Sequence, residues 1–173
     1  MILGMSMSTF INVHVALSLI GIASGLVALF AMIKGKLARF ATPVFLVTTV
    51  LTSITGFPIP PYGFDPPRAF GVASLLLLAL SVLCLYVFKL AGHWRWIYVT
   101  TALVALLLNS FVAVVQTFQK IAFFHALAPT QSEAPFRSVL MALFAAFFVL
   151  GFLAVRRFRP QGLAAPAATQ PGR

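Results

Sequence analysis

The chain has 173 residues, 61% of them hydrophobic and 8% charged, with a formal net charge of +10. A soluble domain carries about 25% charged residues, so this composition excludes a globular surface bathed in water and makes lipid the solvent. The excess of Lys and Arg does not mark a nucleic-acid binder, because those residues flank apolar runs instead of sharing one soluble face.

Five stretches lack Asp, Glu, Lys and Arg: 10–33, 40–64, 69–88, 96–119 and 138–155. At 1.5 Å per residue, about 20 residues cross a hydrocarbon core of about 30 Å. The first stretch has no basic residue before it and exceeds a signal h-region of about 7–15 residues, so it reads as a retained span. The second is Thr-rich between residues 42 and 57 and ends in Pro58, Pro60 and Pro61. Its reading is open between a short span and a re-entrant hairpin. The third follows Asp65-Pro66-Pro67, an N-cap with Pro in the first turn. The fourth begins at an aromatic cluster, Trp94, Trp96 and Tyr98, which suits a membrane surface. The fifth follows Thr130-Gln131-Ser132-Glu133, which has the form of a capping box. It carries almost nothing polar, so it is expected at the lipid-facing periphery.

Charge counting favours five crossings. If all five runs span, one side holds Lys34, Lys36, Arg39, Lys89, Arg95, Arg156, Arg157, Arg159 and Arg173, nine in all. The other side holds three: Arg68, Lys120 and Arg137. A re-entrant second run gives six and six. Short cytoplasmic loops collect Lys and Arg. The expected fold is therefore all-α: an integral membrane helical bundle with five transmembrane helices, N-out and C-in. Its spans lie near 10–33, 42–60, 69–89, 96–119 and 137–155. Residues 1–159 form one domain, followed by a disordered cytoplasmic tail over 160–173.

Within the spans, His14, Ser18, Gly21, Gly25 and Ala28 recur at steps of three and four, making one small and polar stripe. Gly21 and Gly25 form a GxxxG, a helix-packing motif that suits contact within the bundle, a homo-oligomer or a membrane partner subunit. Thr48, Thr52 and Thr55 share a face of the second helix; Asn109, Gln116 and Lys120 share one of the fourth. The first, second and fourth helices are thus expected to form the core contact. With N-out, His14, Thr52, Thr55 and Gln116 fall toward the outer surface, with Asn109 two turns deeper as a floor. These five are the candidate ligand-binding pocket.

Each group also has a plainer reading. Asn, Gln and Thr often only tie helices together, and Asp65 and Glu133 both sit at helix starts, where they serve as caps. An intramembrane His is a functional hypothesis by default, but a neutral His bonded to Thr or Gln fits equally. Cys84 falls in an apolar run and reads as a small buried side chain. A single cysteine excludes an internal disulfide. No P-loop, GxSxG or HExxH is present. No catalytic or metal-binding residue is assigned.

Three segments carry a resemblance: TTVLTSITGF (48–57), WRWIYV with LNSFVAVVQTFQK (94–120), and LAPTQSEAPF (127–136). With their flanking helices they resemble an uncharacterised group of small multi-span inner-membrane proteins of proteobacteria. The resemblance implies a bacterial inner (plasma) membrane and no particular activity. The residues themselves favour a non-enzymatic accessory, binding or small transport module with a polar pocket on the extracytoplasmic side. An ion-coupled pump is disfavoured, because the spans hold no carboxylate or lysine. The alternative is a redox protein binding haem b or a quinone, with His14 and His125 as the candidate axial pair; otherwise no cofactor is expected. An enzyme using His14 with Asp65 or Glu133 lacks any spacing that would hold a general base in place.

Overall fold

The computed structural model describes residues 4–60 and 66–160, all helix and connections. The expected Asp65 cap and the tail beyond residue 160 lie outside the described residues. Six helices follow in chain order: α1 (Met7–Ile33), α2 (Ala41–Gly56), α3 (Pro66–Val82), α4 (Trp94–Lys120), α5 (Ala122–Leu127) and α6 (Ala134–Arg157). A single π turn, Leu83–Val87, prolongs α3. Four helices are long and apolar enough to cross a membrane: α1, α3 with its π turn (Pro66–Val87), α4 and α6. Their outward surface is apolar, with Leu76 69%, Met141 72% and Phe148 78% exposed.

Local chemistry sets the helix ends. The Ser6 hydroxyl accepts from the Thr9 amide at 3.2 Å and starts α1 three residues before the apolar run. Gly35, at φ +75°, closes α1: its amide donates to the Met32 carbonyl and the Lys36 amide to the Ala31 carbonyl. The span expected at 42–60 is shorter as a helix, because Pro58 and Pro60 offer no amide donor to continue the ladder. At α6 the capping box is displaced. Glu133, not Thr130, is the N-cap, and its carboxylate reaches back to the Thr130 amide (3.1 Å), the Thr130 hydroxyl (2.8 Å) and the Ser132 amide (3.0 Å).

The helices surround a diagonal contact between α1 and α4. α1 packs chiefly on α2, α3 lies between α2 and α4, and α6 lies between α4 and α1. α4 touches every other helix, but its meeting with α2 is slight. The expected α1–α2–α4 core is corrected accordingly: α1 contacts both partners, whereas α3 and α6 fill the rest of the ring. α6 is not merely peripheral. Its Phe147, Gly151 and Ala154 are buried, although Met141, Phe144, Phe148 and Phe152 face outward.

The main apolar core joins Leu29, Met32, Phe45, Tyr98, Leu106 and Phe158. Tyr98 is fully buried, a correction to its reading as an interfacial aromatic; Trp94 instead stacks on Phe88 at 3.7 Å, and Trp96 is exposed. A smaller cluster of Phe118, Ala128 and Phe136 closes the opposite end, with Phe124 of α5 against it.

Charge is sorted along the bundle. The start of α4 meets the end of α6 where the Arg95 guanidinium donates to the Phe158 carbonyl. The end of α1 meets it too, since a Cβ on Gly35 would lie 3.3 Å from the Arg157 carbonyl oxygen. Lys34, Lys36, Arg95, Arg156 and Arg157 therefore share one end, and Arg68, Lys120 and Arg137 belong to helix ends at the other.

Candidate functional site: the polar seam between α1, α2 and α4

α1 and α2 cross closely because the small stripe leaves room. A Cβ on Gly25 would stand 2.8 Å from Phe45 Cδ2 on α2 and 2.6 Å from Leu106 Cδ1 on α4. One on Gly21 would stand 2.9 Å from Thr49 Oγ1 and 3.3 Å from Asn109 Nδ2. Both glycines thus sit where three helices meet, and the GxxxG serves contact within the chain. The pairing of Gly25 with Phe45, Gly21 with Thr49 and His14 with Gly56 makes α1 and α2 antiparallel over most of the length of α2.

Two polar links lie on this seam. His14 Nδ1 is 2.9 Å from Thr55 Oγ1. Further along, the Ser18 hydroxyl donates to Asn109 Oδ1 at 2.8 Å and the Asn109 amide donates to the Ser18 carbonyl at 3.3 Å. Asn109 and Ser18 therefore clamp α4 to α1 through a reciprocal pair. The threonines behave differently. Thr48, Thr52 and Thr55 each donate to a carbonyl one turn back on α2, at 2.7, 2.8 and 2.7 Å. Such back-bonding satisfies a hydroxyl without a partner helix. Thr52 makes no hydrogen bond to His14, Asn109 or Gln116, whereas Thr55 makes both kinds of bond.

Two oxygens on the seam are unmet. Thr49 Oγ1, beside Gly21, is buried without a hydrogen-bond partner, and so is the side-chain oxygen of Gln116, two turns beyond Asn109 on the same face of α4. Lys120, one turn further, is near enough to His14 for their charges to interact. The same end of the bundle therefore holds the His14–Thr55 pair, an unmet amide oxygen and one cation. Ser18 was not among the expected pocket residues. Its position one turn from His14 on the small stripe was the signal that could have found it.

Other polar groups are placed elsewhere. Ser81 and Thr101 share a buried bond of 2.7 Å between α3 and α4. The buried Tyr98 hydroxyl faces Thr42 without reaching full hydrogen-bond geometry. His93 and His125 are exposed, and Cys84 is buried and free. Among the described residues no group of three or more His, Cys, Asp or Glu is placed to hold a metal. Glu133 lies outside the spans. Although desolvation pulls its carboxyl upward, the Thr130 hydroxyl and the Thr130 and Ser132 amides hold it below the ordinary value.

Two spaces are apolar. One, about 10 Å³, lies where α1, α2 and α4 meet beside Gly25 and is lined by Leu29, Phe45 and Leu106 among others. That is close to the minimum for one water. The second is an open groove of about 520 Å³ between α4 and α6, lined by Leu103, Val104, Leu107, Phe144, Ala145, Phe147 and Phe148. No protein-family model matches the chain, and no curated protein or solved structure is significantly similar to it.

Proposed function

We propose that the chain is a multi-pass protein of the bacterial inner membrane that crosses five times, N-out and C-in. In this reading it is a non-enzymatic binding or accessory module whose ligand meets the polar seam at the extracytoplasmic end. The topology draws support from α2. It is one continuous helix, antiparallel to α1 from the level of Phe45 to that of Gly56, rather than a hairpin returning to its starting side. The sorting of basic residues to one end supports the orientation, and the resemblance to proteobacterial inner-membrane proteins supports the compartment. A homo-oligomer or a partner subunit in the membrane is compatible with this role.

The single observation that carries the binding role is the unmet oxygen of Gln116. A buried polar atom without a partner costs about 1–3 kcal/mol. A small polar ligand with a donor group for Gln116, beside His14 and Lys120, would remove that cost. Gln116→Leu separates binding from structure. The ligand-free protein should melt at the same temperature or higher, because the unpaired oxygen is gone. Protein extracted directly into polymer-bounded discs should release a small polar molecule on denaturation from wild type but not from Gln116→Leu. A clear fall in melting temperature, with no released molecule from either protein, would make Gln116 a structural tie and end the binding reading. The visible spectrum of the same sample reports on haem: a Soret band would replace this reading with the redox one. Reporter fusions after Arg39, Arg95 and Arg159 should be cytoplasmic, and those after Tyr62 and Gln131 external. A cytoplasmic Tyr62 fusion would reduce the crossings to four.

A further inference from the structure

The groove between α4 and α6 is lined by the middle of α6, residues 144–148, and the basic end of the bundle lies beyond it. On α6, Phe148, Phe152 and Arg156 follow at steps of four, and side chains four apart are neighbours on a helix surface. The Arg156 guanidinium lies over the Phe152 ring, 4.3 Å from its centroid. On α4, Val104, Thr100 and Trp96 follow at the same step, and Thr100 and Trp96 are exposed. At its far end the groove is closed by Phe144 against Phe111, with ring centroids 6.0 Å apart. Between these walls Ala145 leaves the floor open.

The dimensions match half a bilayer. Twelve residues separate Phe144 from Arg156, about 18 Å along a helix. One leaflet's hydrocarbon is about 15 Å deep, half of a core of about 30 Å. The apolar groove therefore lies near mid-membrane, and the stripe Phe148, Phe152 and Arg156 leads from it to the depth of a headgroup. Its charged mouth is one-sided. Arg95, Arg156 and Arg157 gather there, while Glu133 stands at the start of α6, at the opposite end. An aromatic ring beneath the guanidinium also holds Arg156 at the rim, where a phosphate can take its outward-facing donors.

We propose that this groove is a binding site for one anionic phospholipid of the leaflet at the basic end, with an acyl chain along Leu103, Leu107, Phe144 and Phe148 and the headgroup phosphate at Arg156. Apolar lining supplies the attraction for the chain, and charge complementarity selects the acidic headgroup. The site does not depend on which end of the bundle faces the cytoplasm.

Native mass spectrometry of the purified full chain tests this, with dioleoyl phosphatidylglycerol and dioleoyl phosphatidylcholine added in equal amounts. Wild type should retain phosphatidylglycerol preferentially, as one molecule per chain. Arg156→Gln should lower that preference about fivefold, the effect of one basic residue near a membrane surface. Arg137→Gln, at the opposite end, should leave it unchanged. Ala145→Phe fills the floor from an exposed position and should reduce retention of both lipids without loss of folded protein. Equal retention of the two lipids by wild type, equal effects of Arg156→Gln and Arg137→Gln, or full retention by Ala145→Phe would each overturn the proposal. A wild-type dimer that Ala145→Phe splits into monomers would also overturn it, by assigning the groove to a second copy.

Discussion

Gly25→Ala adds one methyl group where α1, α2 and α4 meet. The new Cβ would stand 2.6 Å from Leu106 Cδ1 and 2.8 Å from Phe45 Cδ2. Neither neighbour can withdraw freely, since Leu106 and Phe45 are 2% and 1% exposed. The space of about 10 Å³ beside Gly25 is too small to take the displaced side chain, so overpacking costs about 1–3 kcal/mol, and each kcal/mol lowers the midpoint by about 2–4 °C in a chain of this size. Thermal unfolding in detergent, followed by circular dichroism, measures the shift. Leu106→Ala alone should cost about 2–5 kcal/mol as a cavity. The double variant should be less destabilised than the sum, because each change relieves the other. Gly151→Ala is the comparison. Its Cβ also meets a side chain, that of Leu103, but Leu103 borders the open groove and can shift into it. Its loss should therefore be smaller than that of Gly25→Ala. Strict additivity of Gly25→Ala and Leu106→Ala, or equal shifts at Gly25 and Gly151, would refute this account of the crossing.

Asn109→Ala removes both bonds to Ser18 and should lower stability by about 1 kcal/mol, at roughly 0.6 for each interhelical bond. Thr52→Val, which loses only a bond within α2, should change the midpoint by less; a larger loss at Thr52 would show that Thr52 carries a tertiary contact. The Glu133 carboxyl is held below its ordinary value of 4.5 in the folded state. Its contribution is therefore complete above that value and disappears as pH falls through the lower folded one. Glu133→Gln should flatten the acid limb of a stability curve measured from about pH 6 to about pH 3; an unchanged acid limb would remove Glu133 from the account.

Hydropathy located the helices well because length against bilayer thickness is a coarse and strong constraint. The end of α2 was less legible: residues 57–60 are apolar, but the prolines that end the helix are invisible to a charge count. Packing between α6 and α4 left no mark either, since Gly151 against Leu103 is van der Waals contact without polarity. Tyr98 was misplaced because Trp94, Tyr98 and Trp96 are alike in composition and differ in which way the helix turns them. The site was half legible. Spacing put His14, Ser18, Gly21 and Gly25 on one face, and Asn109 and Gln116 on another. It could not say that threonine hydroxyls would turn back to their own helix, or that Ser18 and not Thr52 would meet Asn109.

The Arg68 guanidinium donates to the carbonyls of Phe57 and Ile59, at 3.3 and 2.7 Å, just past the end of α2. α2 has 16 residues, about 24 Å of helix, against a hydrocarbon core of about 30 Å. Its neighbour α1, with 27 residues, is about 40 Å long. In the proposed five-span topology, two adjacent walls of one bundle would therefore demand different membrane thicknesses. By bringing its own donors to the short wall, Arg68 would let backbone carbonyls end below the height a full span would reach. Lipid beside α2 would then dip toward Arg68, while lipid beside α1 would stay at full height. The energetic effect of such mismatch is fractions of a kcal/mol per Å, enough to make the lateral surroundings of this protein asymmetric and its residence sensitive to bilayer thickness.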